Sequence, residues 1–436
     1  MGSRHADFPS ITPTPRTVLP FGNGRSYGDS CLNVGGALIG TRTLDRFIGF
    51  DRDTGVLACE AGVLLSDVLD LVVPAGWFPP VTPGTSFVTI GGAIANDVHG
   101  KNHHRAGTFG RHVLRFELLR SDGQRLLCSP GQNAEWFAAT VGGLGLTGII
   151  TWAELQLRRV AGPWMDVETV RFGNLSEFFA LCAESDRDFE YTVSWIDCLA
   201  RGKRLGRGIM QRANHADALA SDPQSARAAA GADAGAGAGA GAGGARRLNM
   251  PITPLLSLVN AASLRLFNTI YYHSAGSQRR RESRHFQPFF YPLDRVLNWN
   301  RVYGPRGFYQ YQCVVPGDSG PRAVAQLLEA ISRSGLGSFL AVLKVCGSPL
   351  SPGLLSFPQP GVTLALDFPN NGPRLERLFQ ALDNIVAAAG GRLYPAKDGR
   401  MPGPLFRAGF PRWREFSGYI DPHCSSSFWR RVTEGA

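Results

Sequence analysis

The chain has 436 residues, of which 44% are hydrophobic and 18% are charged. This composition is typical of a globular protein, and it excludes a chain that is disordered or fibrous throughout. The length suggests two or three domains, or one large fold with an insert. Forty-five basic residues against 35 acidic ones give a net charge of +10. That excess favours anionic partners such as phosphates but does not single out one of them.

Cysteine spacing and apolar runs bear on where the protein works. The eight cysteines include no Cys-x-x-Cys pair, which argues against a zinc ribbon and against a thioredoxin-like site. The first residues lack the apolar stretch of a secretory signal. The longest apolar run, residues 251–272, is interrupted by polar and charged side chains and is a poor membrane span. We therefore expect a cytoplasmic protein.

The predicted elements before residue 160 are short strands with tight turns and a few helices. Alternation of apolar and polar residues marks the strands, and apolar residues three or four apart mark the helices. In chain order they are a hairpin over 47–50 and 56–61, a helix over 64–73, a second hairpin over 112–119 and 125–128, a helix over 134–140 and a strand over 149–157.

A segment of nearly pure alanine and glycine, residues 226–245, divides the later part of the chain. It has few side chains to bury, so we expect a flexible insert without a functional role. Strands and helices mix without a regular βαβ repeat, which favours an α+β fold. Beyond the insert, the pattern predicts helices over 322–332 and 373–389 and strands over 307–315, 339–345 and 362–368.

Three glycine-rich segments fall within the first 150 residues, at 21–29, 83–95 and 141–148. Glycines let backbone N–H groups approach an anion closely, so three such loops together predict a long, doubly phosphorylated ligand. Ordinary tight turns are the alternative for any one of them. Residues 143–148 match G-x-G-x-x-G, but a helix-like stretch precedes them and a strand follows. That order is the reverse of a Rossmann unit, which we therefore reject.

The segment 96–104 is dense in polar side chains and holds three histidines. Their spacing is not a recurrent zinc pattern, so we expect no metal. We interpret the segment as a cofactor or active-site loop, with an ordinary surface loop as the alternative. Lys344 stands inside an apolar run, where burying an unpaired ammonium is costly. Either it lines a cavity or its amine reaches the surface.

Five segments together make the chain recognisable: GNGRSYGDS, PGTSFVTIGGAIANDVHGKNHH, TVGGLGLTGII, YPLDRVLNWNRVYGPRGFYQYQ and LYPAKDGR. The sequence resembles the vanillyl-alcohol-oxidase-type flavoenzymes, and within them the decaprenylphosphoryl-β-D-ribose 2′-oxidase family. The resemblance implies a PCMH-type FAD-binding domain over 1–160 and an α+β substrate domain with an antiparallel sheet over 161–400. It also implies that residues 401–436 return to the FAD domain.

The resemblance implies FAD as the cofactor, bound by the glycine-rich loops. Many relatives attach FAD through a histidine of the first loop, but residues 24–27 contain none, so we expect non-covalent FAD. The implied cofactor-binding residues are Gly22, Asn23, Gly24, Arg25, Ser26, Tyr27, Gly28, Asp29, Ser30, Gly84, Thr89, Ile90, Gly91, Gly92, Asn96, Asp97, Val98, His99, Ile150 and Tyr394.

Seven residues are implied on the substrate side of the flavin, and all carry polar groups. We assign Lys397 to stabilising the negative charge that develops near flavin N1. We assign His99 and Lys344 to binding the sugar phosphate or hydroxyl and to helping its proton leave. The full set is Lys397, His99, Lys344, Tyr291, Gln312, Gln310 and Tyr27.

Two further departures from the family pattern stand out. The related enzymes carry a cysteine near the flavin in the strand that ends Asp-Phe-Pro, where this chain has Ala365. A covalent inhibitor that depends on that thiol is expected to fail. The first phosphate loop also begins within about 20 residues of Met1, so the resemblance implies an FAD domain abbreviated at its N-terminus.

The resemblance therefore implies an FAD-dependent oxidoreductase that oxidises a secondary alcohol of a sugar by hydride transfer to the flavin. The implied sugar is a phosphorylated or polyprenyl-phosphorylated pentose such as decaprenylphosphoryl-ribose, a cell-wall polysaccharide precursor. Two alternatives stay open: an aldonolactone oxidase of the D-arabinono-1,4-lactone type, and a non-catalytic basic protein on a degenerate flavin fold. Expected partners are a sugar-phosphate or lipid-linked substrate, an electron acceptor that the sequence does not identify, and an epimerase-type reductase for the keto product. Peripheral contact with the inner face of the membrane is a further expectation, and nucleic acid is not expected.

Overall fold

The structure, a computed structural model, describes residues 1–9, 16–217, 248–254, 257–276 and 278–434. The alanine- and glycine-rich segment 226–245 lies outside the described residues, so the prediction made for it stays a prediction.

The first part of the chain forms a five-stranded antiparallel sheet and two small two-stranded sheets. Its strands are β1 (Val18–Phe21), β2 (Ala37–Gly40), β3 (Phe47–Phe50), β4 (Val56–Glu60), β5 (Trp77–Phe78), β6 (Val113–Leu119), β7 (Arg125–Cys128), β8 (Ile149–Gln156) and β9 (Arg158–Arg159). Its helices are α1 (Leu65–Val72), α2 (Ile90–Ala95), α3 (His103–Ala106) and α4 (Ala134–Thr140). The five strands lie in the order β3-β4-β8-β6-β7, while β1 pairs in parallel with β2 and β5 pairs antiparallel with β9.

The elements predicted in this part are confirmed. Both hairpins form and helix α4 has the predicted bounds. Helix α1 is shorter than predicted by one residue at each end, and strand β8 is shorter by one residue at its C-terminal end. Alternate residues of β8 are buried because one face of the strand packs on the core. The core beneath the sheet includes the stacked rings of Phe116 and Phe137, whose centroids are 5.3 Å apart.

The second part is built on an eight-stranded sheet in which every neighbouring pair is antiparallel. Its strands, with a separate short pair β13–β15, are β10 (Trp164–Phe172), β11 (Tyr191–Ile196), β12 (Gly208–His215), β13 (Leu248–Asn249), β14 (Arg279–His285), β15 (Val296–Leu297), β16 (Phe308–Pro316), β17 (Val342–Cys346), β18 (Gly361–Pro369) and β19 (Arg392–Leu393). The order in the large sheet is β14-β10-β12-β11-β17-β18-β16-β19.

Helices cover one face of this sheet. The α-helices described after residue 160 are α5 (Leu175–Asp188), α6 (Ala261–Ser274), α7 (Phe286–Phe290), α8 (Gly320–Ser334), α9 (Pro373–Ala388), α10 (Gly403–Gly409), α11 (Trp413–Ser417) and α12 (Ser427–Thr433). Helix α8 buries Val324, Leu327 and Ile331, which recur at helical spacing, and it ends at Gly335 with a φ of +69°. Helices α8 and α9 both contact β16, and α8 also contacts β18. The α+β class is therefore confirmed.

One predicted strand is shorter than expected. The apolar run 339–345 forms a strand only from Val342, because side chains occupy the backbone groups before it. The indole of Trp195 donates to the carbonyl of Phe339 at 2.9 Å, and the backbone N–H of Leu340 donates to the hydroxyl of Ser338 at 2.9 Å. These bonds replace the ladder bonds that a longer strand would make.

The last residues of the chain contact its beginning. The backbone N–H of Val18 donates to the carbonyl of His423 at 2.7 Å, and that of Ser425 donates to Val18 at 2.9 Å. The Arg431 guanidinium donates to both carboxylate oxygens of Asp29. These contacts fix strand β1, and with it the loop that follows.

No helix among the described residues is both long enough and apolar enough to cross a membrane.

Candidate active site

A cavity of about 950 Å³ lies between the glycine-rich loops and the face of the eight-stranded sheet opposite helices α8 and α9. This volume is at the upper end of the range for cofactor and substrate sites. Its floor comes from the first part of the chain and its roof from β11, β12, β16, β17 and β18. The cavity therefore joins the two parts of the fold.

The first glycine-rich loop, residues 22–26, follows β1 and lines the cavity. It turns at Gly24, whose φ is +59°, and the amide of Asn23 anchors it by donating to the Phe87 carbonyl at 2.7 Å. None of the backbone N–H groups of residues 22–26 donates to another described residue. Since such groups need an acceptor, they are available to an anion in the cavity.

The other two glycine-rich segments meet the first loop across the cavity. Thr89 is the N-cap of helix α2, and its hydroxyl accepts from the backbone N–H of Gly92 at 3.1 Å. A Cβ at Gly22 would lie 2.5 Å from that same hydroxyl, so only glycine allows this approach. The hydroxyl of Ser30 lines the cavity, is buried and has no partner among the described residues. Backbone N–H groups and a hydroxyl that have no partner in the described part of the chain, on loops that pack closely together, suit the binding of the FAD diphosphate.

Strand alternation brings the polar residues of the roof into the cavity. Odd-numbered positions on β18 (Thr363, Ala365 and Asp367) line it, whereas the even-numbered ones belong to the core beneath α8 and α9. Gln312 on β16 pairs in register with Ala365, and Lys344 on β17 pairs with Thr363. Directly paired residues project on the same face. Lys344 is therefore a cavity residue, which answers the question its apolar neighbours left open.

His99 lies at the centre of a polar cluster. Its Nδ1 is 3.3 Å from the Lys344 amine and its Nε2 is 3.2 Å from the Gln312 amide. Burial, with the positive charge of Lys344, holds the pKa of His99 well below its usual value, so the ring is neutral. The Gln312 amide nitrogen can donate only to an unprotonated Nε2, and the Lys344 amine can donate only to an unprotonated Nδ1, so the tautomer of the neutral ring decides which of the two groups donates to it.

A second polar group contains Lys397, Asp367 and Gln310. The Lys397 ammonium lies 3.7 Å from the centroid of the Tyr27 ring, a cation–π contact. Burial lowers the pKa of Lys397 to about 8, opposed by the nearby Asp367. Burial also raises the pKa of Asp367 to about 7, and its Oδ1 accepts from the Gln310 amide at 2.7 Å. Both groups exchange protons near neutral pH.

Most of the predicted site residues come together on this cavity wall. Those that line it are Gly22, Asn23, Gly24, Arg25, Ser26, Tyr27, Ser30, Gly84, Thr89, Gly91, Gly92, Asn96, Val98, His99, Ile150, Gln310, Gln312, Lys344, Tyr394 and Lys397. Ala365, singled out from the sequence as a departure from the family pattern, lines it as well. Their roles toward FAD and substrate stay predictions.

Five predicted site residues do not line the cavity: Gly28, Asp29, Ile90, Asp97 and Tyr291. The buried carboxylate of Asp97 accepts hydrogen bonds from the Gly110 backbone N–H and the hydroxyls of Ser351 and Ser356. Its φ of +40° is in the left-handed region and is stabilised by these bonds. Asp97 thus supports the loop that carries His99.

The other four also have supporting positions. Asp29 pairs with Arg431, and the Tyr291 hydroxyl bonds to the Thr82 hydroxyl behind the cavity wall. A Cβ at Gly28 would lie 1.6 Å from the Asp398 carbonyl oxygen, so Gly28 is a packing glycine. Ile90 is buried in the core under the first sheet.

Sequence reasoning missed several cavity residues, of which Lys101, Arg284, Asp294 and Asp367 have acidic or basic side chains. Lys101 stands two residues after His99 in the polar segment, and Asp367 stands two residues after Ala365 on β18. Because each is close in sequence to a predicted site residue, the sequence could have indicated both. The chain has only four lysines, Lys101, Lys203, Lys344 and Lys397, among its 45 basic residues. Three of the four line this cavity, and Lys203 is exposed elsewhere.

Among the described residues, no cluster of three or more His, Cys, Asp or Glu side chains is arranged to hold a metal ion. The ring centroids of His99 and His103 are 6.4 Å apart.

Loops with free donors on one wall and proton-exchanging side chains on the other define a flavin-dependent oxidoreductase site. Comparison with known proteins agrees: residues 13–129 match the FAD binding domain family. The chain is 36% identical to decaprenylphosphoryl-beta-D-ribose oxidase of Mycolicibacterium smegmatis, over 93% of this chain and 86% of that protein. The chain belongs to this family of FAD-dependent oxidoreductases.

Two further relatives show how far the similarity extends. An uncharacterized protein of Streptomyces coelicolor is 35% identical over 83% of this chain and 96% of its own length. Cytokinin dehydrogenase 8 of Oryza sativa is 32% identical over only 34% of this chain and 30% of its own. Family membership confirms the predicted enzyme class and the cofactor FAD, and it removes the ground for the non-catalytic alternative.

Burial of Lys101 in this site has a measurable cost. Burial, with the positive charges of Lys344 and Arg284, lowers its pKa to about 7. A base whose pKa falls on folding destabilises the fold where it is protonated, below about pH 7, and this effect disappears above its unfolded value near 10.4. We predict that Lys101→Met raises the free energy of unfolding at pH 6.5 by about 1–3 kcal/mol, a range discounted for water in the cavity.

The measurement is thermal unfolding at saturating FAD from pH 6 to pH 10, with Lys203→Met as the matched control. The gain in stability of Lys101→Met over the parent protein should shrink as the pH rises, and Lys203→Met should be as stable as the parent at every pH. A Lys101→Met variant that is less stable at every pH would mean that the hydrogen bonds of Lys101 outweigh its burial.

Proposed function

We propose that this protein oxidises a secondary alcohol on the pentose of a polyprenyl-phosphorylated sugar, such as decaprenylphosphoryl-ribose, to the ketone. The observation that carries the proposal is that one cavity holds both the anion-cradling loops and the buried cluster of His99, Gln312 and Lys344. Support for the substrate class comes from the Mycolicibacterium smegmatis relative, which is 36% identical to this chain over the aligned residues and is named for this activity.

The reaction removes a hydride from the carbinol carbon and a proton from its hydroxyl. FAD, when bound, supplies the hydride acceptor. The chain must hold the sugar, exclude competing water and take up the hydroxyl proton. Residues 22–26, Ser30 and the first turn of α2 are suited to holding the diphosphate, without a covalent bond.

The low pKa of His99 makes it a poor proton acceptor and a good orienting group. Burial also lowers the pKa of Lys344, whose amine is 3.3 Å from His99 Nδ1. We assign the hydroxyl proton to Lys344 Nζ, with His99 and Gln312 orienting the sugar. Lys397 supplies positive charge beside Tyr27, where negative charge develops during oxidation.

Replacing Lys397 by alanine removes that charge. We expect kcat to fall by roughly 10²–10³-fold, as for other groups that stabilise developing charge, with a much smaller change in KM. Anaerobic single-turnover bleaching of the flavin by polyprenylphosphoryl-ribose measures this directly. Full turnover by Lys397→Ala would refute the assignment, and faster turnover of a free sugar lactone would favour the aldonolactone alternative.

Non-covalent attachment is tested by the visible spectrum before and after acid precipitation. Because residues 24–27 offer no histidine, we expect the flavin band to move entirely into the supernatant. Flavin that stays in the pellet would show a covalent bond through another residue.

A polyprenyl substrate also requires an apolar approach to the cavity. On helix α6, Leu266 is 64% exposed and Ile270 is 60% exposed, while Tyr271 on the same helix lines the cavity. Arg280 and Arg281 on β14 are exposed as well. An apolar helix face beside arginines suits the surface of an anionic membrane, so we propose peripheral attachment at the inner face through α6.

We expect the protein to float with vesicles that contain anionic phospholipid. The double substitution Leu266→Gln and Ile270→Gln should abolish flotation, because it removes the apolar face that inserts. Leu350→Gln is the matched control, since Leu350 is 72% exposed on a loop away from α6 in the sequence. Equal flotation of both variants would exclude α6 as the attachment site.

The ketone product defines the next partner. A keto sugar that retains its lipid becomes the epimerised sugar when a reductase delivers hydride to the opposite face. The proposed partner is therefore an epimerase-type reductase that acts on the same lipid-linked sugar.

A further inference from the structure

Two cations that sequence reasoning missed lie side by side in the cavity. Lys101 follows His99 by two residues, and its ammonium donates to the carbonyls of Phe289 and Phe290 at the end of α7. Arg284 is near the end of β14, two residues before α7 begins. Both side chains line the cavity. Helix α7 thus connects the backbone that carries Arg284 to the acceptors that hold Lys101.

The charge at this point is not balanced by the protein. No carboxylate among the described residues pairs with Lys101. Arg284 pairs with Glu282, but Glu282 also pairs with Arg280 at 2.8 Å. Two arginines thus share one carboxylate beside an unpaired lysine. Cations that are partly withdrawn from water without a counter-charge are costly, and a bound anion removes that cost.

The surroundings of the pair change character from one side to the other. On one side Lys344 and His99 form the polar centre that we assign to the sugar. On the other side Trp195 and Tyr271 line the cavity with their ring centroids 4.8 Å apart, and Tyr271 stacks on Phe267 of the exposed face of α6. The charges of Lys344 and Arg284 both act on Lys101, the charge of Arg284 acts on Tyr271, and Tyr271 is 39% exposed. A polar centre, a cationic pair and an aromatic exit therefore follow one another.

We propose that Lys101 and Arg284 form the subsite that binds the phosphodiester linking the sugar to its lipid. This deepens the proposed function and rests on it. A substrate built as sugar, phosphate and polyprenyl chain presents three chemistries in the order in which the cavity offers them. Arginine binds phosphate oxygens through two parallel N–H groups, whereas lysine acts as a point charge. The pair therefore fixes the distance of the sugar from the aromatic exit.

The test compares two substrates that differ only at the linkage: farnesylphosphoryl-ribose and the neutral farnesyl riboside. Lys101→Met and Arg284→Met should each raise KM for the phosphodiester roughly 10–100-fold, as expected for losing a hydrogen bond to a charged group. KM for the neutral riboside should stay within about twofold. Lys101→Arg should restore most of the affinity, and Lys203→Met should behave as the parent.

An equal rise of KM for both substrates, or no rise for either, would overturn the proposal. Binding is also measured without turnover, from the change in the flavin absorption spectrum of the holoenzyme on titration with farnesyl phosphate. If no ribose derivative is oxidised, the proposed function fails, but weaker binding of farnesyl phosphate to Lys101→Met still supports the subsite. Inorganic phosphate binding as tightly as farnesyl phosphate would assign it to free phosphate and overturn the lipid-linked assignment.

Discussion

The site depends on a constraint of the eight-stranded sheet: helices α8 and α9 pack on one of its faces, and the cavity lies against the other. Period-two alternation sends the apolar residues of β16, β17 and β18 toward α8 and α9. The same alternation sends Gln312, Lys344 and Asp367 to the opposite face. That face can carry amides, amines and a carboxylate because a cavity, not a packed core, lies against it. A shift of one residue in register would exchange the two sets.

This constraint also explains the pattern of pKa values. The cavity side chains are enclosed enough to lose much of their hydration but are not neutralised by close partners. Amines therefore lose protons more easily, as for Lys101 and Lys397, and the carboxyl of Asp367 retains its proton longer. Arginine would not respond in this way, because its guanidinium stays charged in proteins. A chain that uses arginine almost everywhere else places three of its four lysines here.

Local features of the fold were predictable from the sequence. The hairpins, the helix over 134–140 and the strand over 149–157 follow from spacing within ten residues or so, and the glycine-rich loops lie where their composition placed them. Long-range placement was not predictable, because it depends on strand pairing across distant parts of the chain. Asp97 illustrates this: its segment lines the cavity, yet its carboxylate turns to Ser351 and Ser356, more than 250 residues away. Arg284 was missed for the same reason.

The residue at position 365 has a consequence for covalent ligands. With alanine there, the cavity wall has no thiol at this position, so sulfur-directed electrophiles have no target at that point. Lys101 offers another one, since burial lowers the pKa of its amine to about 7 and so favours the unprotonated, nucleophilic form in neutral solution. An aldehyde placed next to it would form an imine. The same loss of hydration that favours anion binding therefore makes the amines of this pocket, Lys101 among them, targets for covalent ligands.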